Sequence, residues 1–99
     1  MQLISNKALR EFAALHGDAA QPLQDFRRNV ERGSFANFAE LRAVFPSVDK
    51  AGARYVFNIG GNKYRLITKL NYRWKLLYIR FVLTHAEYDR GGYANDCAK

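Results

Sequence analysis

The sequence predicts an α+β domain in which N-terminal helices cover one face of a small antiparallel sheet and a short C-terminal helix follows the strands. Three observations predict it. Apolar residues recur at helical spacing as far as Pro46. The period becomes twofold after Gly52. Ninety-nine residues, 48% of them hydrophobic, supply one core and leave no room for a second. A single domain over residues 1–90 is expected, with 91–99 as a flexible tail.

Leu3-Ile4 is a short apolar opening, and Ser5 is the expected cap of a first helix whose apolar face carries Leu9, Phe12, Ala13 and His16 until Gly17 ends it. A second helix begins near Gln21-Pro22, because proline suits a first turn. Its stripe is Leu23, Phe26 and Val30, and Gly33 stops it. These two helices form a hairpin. Asn37 with Glu40 three residues on has the spacing of a capping box, so Phe38, Leu41 and Phe45 make a short third helix before Pro46.

Tyr55–Ile59 then reads as a strand, Gly60-Gly61-Asn62 as a tight hairpin turn, and Lys63–Tyr72 as the returning strand. A turn around Tyr72-Arg73-Trp74 leads to a third strand over Lys75–Leu83, rich in β-formers. Thr84-His-Ala-Glu87 is a second capping box, opening a brief helix through Tyr88. Strand parity puts Tyr64, Leu66, Thr68, Leu70 and Tyr72 against the helices. Lys63, Arg65, Ile67, Lys69 and Asn71 fall on the other face. On the next strand Leu77, Ile79, Phe81 and Leu83 form the core set, leaving Tyr78 and Arg80 beside Arg65 and Lys69. A basic open face follows.

The charge distribution sharpens this. The formal net charge is +7, yet residues 1–49 hold six Lys/Arg against six Asp/Glu, while residues 50–86 hold eight Lys/Arg and no acid. That block contains Lys50, Arg54, Lys63, Arg65, Lys69, Arg73, Lys75 and Arg80, interleaved with aromatic residues. Cations with aromatics suit a phosphate backbone and its bases. A solvated sheet face that happens to be basic is the alternative reading.

The one cysteine, Cys97, excludes an internal disulfide and a cysteine-based zinc site, and a reducing compartment, the cytoplasm, is the expected setting. Met1-Gln-Leu-Ile-Ser5 has no secretory pattern and no eighteen apolar residues run together, so neither export nor membrane insertion is expected. His16 and His85 stand in distant contexts, without a clustered ligand set. No P-loop, dinucleotide fingerprint or nucleophile elbow is present. No metal or other cofactor is therefore expected. What remains is chemistry that needs only positioned cations, one proton-transfer group and the substrate's own nucleophile. RNA offers such a reaction, in which its 2′-OH attacks the adjacent phosphorus.

Three ordered segments carry a resemblance. Leu41-Arg-Ala-Val-Phe-Pro-Ser-Val-Asp49, Tyr55-Val-Phe-Asn-Ile-Gly-Gly-Asn-Lys-Tyr-Arg-Leu66, and Tyr78-Ile-Arg80 leading to Thr84-His-Ala-Glu-Tyr-Asp89 together look like a HigB-type toxin of the RelE-like fold. The likeness spans about residues 1–90. It implies a ribosome-dependent mRNA endonuclease that receives RNA on the open sheet face. It also implies a HigA-like helix-turn-helix antitoxin as partner in a hetero-oligomer. By similarity to such toxins, cationic strand residues and a C-terminal His or Tyr do the cutting, which points to Arg65, Arg80, His85 and Tyr88. Lys63, Lys69, Arg54, Arg73 and Lys75 are then the residues expected to hold the RNA.

Each candidate keeps a structural reading. His85 sits where any first-turn residue would, Tyr88 suits a core anchor, and Arg65 and Arg80 suit sheet-face ion pairs, although their block offers no acid. Trp74 reads as a turn or core residue and is left out of the site. Two other functions remain open. A non-catalytic RNA-binding module would stack bases on an aromatic sheet, but the open face is richer in Arg and Lys. A DNA-binding regulator would use the N-terminal helices, but residues 1–49 carry no surplus of cations.

Overall fold

Leu9, Phe12 and Ala13 repeat at the spacing of one helical face, and they lie on α1 (Asn6–Leu15), with Leu9 buried. The computed structural model describes residues 1–91 apart from 5 and 62. The expected Ser5 cap, the Asn62 turn position and the tail from 92 onward lie outside the described residues. A single 3-10 turn, Gly17–Ala19, joins α1 to α2 (Ala20–Arg32), whose stripe Leu23, Phe26 and Val30 is buried as its spacing predicts. At the end of α2, Gly33 is extended rather than left-handed. A Cβ there would stand 2.2 Å from the Phe35 ring, so close approach explains the glycine.

The short α3 (Phe38–Val44) starts on Asn37, whose side chain accepts from the Glu40 backbone N–H at 3.0 Å. Glu40 reaches back one residue further than an ordinary capping box, accepting from the Ala36 N–H at 3.0 Å. Leu41 is fully buried, and Phe45 turns back to join Phe26 and Phe57, with ring centroids 4.9 to 5.4 Å apart. Such pairs add about 0.5–1.5 kcal/mol each beyond the area they bury. Truncating Phe57 to alanine would cost about 3–5 kcal/mol.

Five strands form one sheet in the order β1-β5-β4-β3-β2, comprising β1 (Gln2–Ile4), β2 (Asp49–Ala51), β3 (Arg54–Ile59), β4 (Tyr64–Asn71) and β5 (Leu76–Thr84). The β2-to-β5 run is antiparallel, as alternation predicts. β1 adds parallel to β5, so the sheet is mixed. Three residues are too few for a periodic signal, which is why Leu3-Ile4 and Asp49–Ala51 do not read as strands. Gly60 and Gly61, at φ 62 and 69, supply the left-handed backbone of the β3–β4 turn.

Parity fails at one point. The β4–β5 register shifts between Ile67 and Thr68: Thr68 faces Ile79, but Ile67 faces Phe81, so Arg80 is the extra residue of a bulge. Leu77 and Ile79 enter the core as expected. Beyond the bulge the alternation inverts, so Val82 packs on the core while Phe81 and Leu83, expected inside, move to the opposite face. Phe81 is 37% exposed. The main core therefore lies between the helices and one sheet face, and a second, smaller apolar cluster of Val56 and Ile67, with Ala51, Leu83 and Tyr88, lies on the other. α4 (His85–Arg90) packs on that second cluster through Tyr88.

Candidate active site on the open sheet face

β5 runs directly into α4, and the reversal is held by a complete capping box. The Thr84 hydroxyl accepts from the Glu87 N–H at 3.2 Å, and Glu87 accepts from the Thr84 N–H at 2.9 Å. These bonds hold the Glu87 carboxyl below its ordinary range, with smaller help from Arg90 and His16. The His85 backbone N–H donates to the Lys63 carbonyl at 2.9 Å, tying the helix to the start of β4. His85 and Tyr88, three residues apart, thus share the helix face above Arg65.

Arg65 lies on β4 opposite Asn58 and Leu83 and is only 8% exposed. Its guanidinium donates to the Tyr64 carbonyl at 3.2 Å, meets Nδ1 of His85 at 3.2 Å, and lies 5.4 Å from the centre of the Tyr88 ring. Arginine has no acceptor, so Nδ1 must accept, and the proton of a neutral ring sits on Nε2. Nε2 faces the Asp89 carboxylate at 3.2 Å. Asp89 was not a sequence candidate. Its signal was its place four residues beyond His85 in a capped helix.

The other expected residues scatter. Lys69 is exposed and pairs in register with Tyr78, and these two with Leu70, Asn71 and Arg80 line a groove of about 260 Å³. Arg80 therefore belongs to the groove. It stands about 10 Å along β5 from Leu83, the residue opposite Arg65. Arg73 lies 5.4 Å from the Trp74 ring centre at the β4–β5 turn. Lys75 turns toward the helices and donates to the Phe35 carbonyl at 2.8 Å. Lys63 is a turn residue rather than a strand residue, and it pairs with Asp18 at 3.0 Å. Arg54 lies on the Arg65 face of β3 but is only 6% exposed, and it donates to the Ala53 carbonyl at 3.4 Å. The structure thus brings together Arg65, His85 and Tyr88, and separately Lys69 with Arg80. No described helix is long and apolar enough to cross a membrane.

The fold is an α+β domain, a five-stranded mixed sheet with helices, of the RelE-like toxin class. A family profile described as HigB toxin, RelE-like toxic component of a toxin–antitoxin system, matches residues 19–91, and the chain belongs to that family. An antitoxin partner follows from membership. The chain is similar to the mRNA interferase toxin HigB of Escherichia coli strain K12, at 37% identity over 92 residues, covering 90% of this chain and 88% of the relative. It is also similar to an mRNA interferase HigB of Escherichia coli O6:H1, at 31% identity over 93 residues, 91% of this chain and 90% of the relative.

Proposed function

We propose that this protein is a cytoplasmic toxin that cuts mRNA on the ribosome, and that a HigA-like helix-turn-helix antitoxin restrains it in a hetero-oligomer. The observation that carries the reading is the Arg65–His85 contact at 3.2 Å, next to the Tyr88 ring and on the sheet face that also bears the Lys69–Arg80 groove. The mRNA interferase names of its relatives support the substrate.

The chemistry needs no metal for its charge balance. The scissile phosphate draws the Arg65 guanidinium off His85, and the fork neutralises the charge that grows on the phosphorane oxygens. That exchange frees the Nδ1 lone pair, which takes the 2′-OH proton as the 2′ oxygen attacks phosphorus. The bond to the 5′ oxygen breaks, and that oxygen takes a proton from the Tyr88 hydroxyl. Turnover closes when the tyrosinate is reprotonated from water as the His85 imidazolium gives its proton up to water. The products are a 2′,3′-cyclic phosphate and a 5′-hydroxyl end. Asp89, on Nε2, holds the ring and stabilises the imidazolium.

The test is cleavage of mRNA programmed on purified ribosomes, with the new ends identified chemically. A 5′-hydroxyl end, produced with free metal chelated, supports the mechanism. RNA binding without cleavage would leave the binding-module reading in its place.

A further inference from the structure

Trp74 is 66% exposed, on the turn that joins β4 to β5. A tryptophan this open forgoes most of the burial its ring could contribute. The turn beneath it is well fixed. Its backbone N–H donates to Asn71 Oδ1 at 3.0 Å, the next residue adopts φ 56, and the Lys75 carbonyl accepts from the Gln2 N–H at 2.8 Å. The Lys75 ammonium then binds the turn to Phe35 in the helical layer at 2.8 Å. The indole is an open ring on a rigid mount.

Its surroundings narrow what the ring is for. Arg73 lies 5.4 Å from the ring centre, and Asn71, which caps the turn, also lines the groove that holds Lys69, Tyr78 and Arg80. The whole segment from 50 to 86 carries no acid. A protein anchor would sit within an apolar patch, whereas Trp74 is bordered in sequence by Arg73 and Lys75, with Asn71 capping it. An aromatic platform beside a cationic groove fits a nucleobase followed by its phosphates.

We infer that Trp74 stacks on an unpaired base of RNA, with Arg73 over the same ring and the Lys69–Tyr78–Arg80 groove holding the backbone beside it. The subsite lies at the far end of the sheet from Arg65 and His85. Arg65 to Lys69 alone spans about 13 Å along β4, so the platform engages RNA a few nucleotides from the cut. The inference rests on the proposed RNA substrate, but the stacking itself does not require cleavage. The base belongs either to the message or to ribosomal RNA, and the experiment separates the two.

Trp74 is the sole tryptophan, so its own fluorescence reports the contact. The full chain is titrated with a 2′-O-methyl oligoribonucleotide, which cannot be cut, and separately with vacant ribosomes. Melting temperature is measured for every variant. Saturable quenching by the oligonucleotide, with Trp74→Leu weakening binding roughly five- to hundredfold and Trp74→Phe recovering part of it, supports a message base. Loss confined to ribosome binding supports ribosomal RNA. Unchanged affinity of Trp74→Leu for both overturns the inference, as does a defect seen only in antitoxin binding. In ribosome-programmed cleavage, Trp74→Leu raises the half-saturating concentration more than it lowers the maximal rate. A wild type that stacks RNA and fails to cut it would overturn the proposed function and spare the platform. A wild type that cuts with Trp74→Leu unimpaired does the reverse.

Discussion

The Arg65 guanidinium donates to Nδ1 of His85 at 3.2 Å, and this contact selects the ring tautomer with its proton on Nε2, toward Asp89. Long-range proton–nitrogen correlation spectra of the free protein should show that tautomer. Asp89→Asn should keep that tautomer, since Arg65 still donates to Nδ1 and the amide oxygen can accept from Nε2, whereas Arg65→Ala should redistribute the proton. A ring with its proton on Nδ1 would contradict the Arg65 contact.

Arg65→Ala should lower the cleavage rate by about a hundred- to a thousandfold, the loss of about 2.7–4 kcal/mol expected for one donor aimed at the developing charge. Arg65→Lys keeps the charge and loses the fork, so it should recover only part of the rate. Single-turnover cleavage by folded variants measures both. Equal rates for lysine and arginine would mean that charge alone matters.

His85→Gln should bind RNA like the wild type and cut at least about a hundredfold more slowly. Binding is measured on uncleavable RNA and rate on programmed ribosomes. Wild-type cutting by this variant would remove His85 from the proton-transfer step.

Salt dependence should report the cations that contact RNA. Lys63 and Lys75 bind Asp18 and the Phe35 carbonyl, while Arg65 is proposed to exchange His85 for a phosphate, so about four contacts, from Arg65, Lys69, Arg73 and Arg80, give a slope of log K against log salt near −2.8 for single strands. Lys69→Ala should reduce the slope by about 0.7. Lys63→Ala should leave it unchanged.

Acid should loosen two contacts that fix the start of β4 and the start of α4. Hydrogen bonds from Tyr64 and Lys63 lower the Asp18 carboxyl, and those with Thr84 lower Glu87. Groups with lowered folded values add stability above the ordinary carboxylate range and lose it as pH falls through the folded values. Tyr64 is shifted the opposite way by the same Asp18 bond, so its contribution is present below the ordinary phenol value and fades as pH rises through the folded one. Urea midpoints from about pH 7 down to 3 should fall less steeply for Asp18→Asn than for the wild type. Thr84→Ala, which removes a cap worth about 1 kcal/mol, should depress cleavage more than stability.

Much of this was readable from residues whose neighbours are local. The Leu23-Phe26-Val30 stripe, the Asn37 and Thr84 caps and the Gly60-Gly61 turn all lie where their chemistry predicts. What alternation could not carry was the bulge at Arg80, because an extra residue leaves no mark in a run of β-formers. That one position moves Phe81 and Leu83 across the sheet and sends Arg80 to the groove rather than to His85. The roles of Lys63 and Lys75 were hidden for a different reason. Their partners, Asp18 and Phe35, are remote in sequence.

The parallel pairing of β1 with β5 also governs when the surface comes into being. Gln2 and Leu3 find their partners in Leu76 and Leu77, near the other end of the chain. A contact so distant in sequence pays a large closure entropy and forms late. During synthesis at about 5–20 residues per second, β1 waits several seconds for β5 to emerge. In a nascent chain the sheet therefore stays incomplete until Leu76–Tyr78 emerge, and the face proposed to bind RNA matures after the N-terminal helices have already been made.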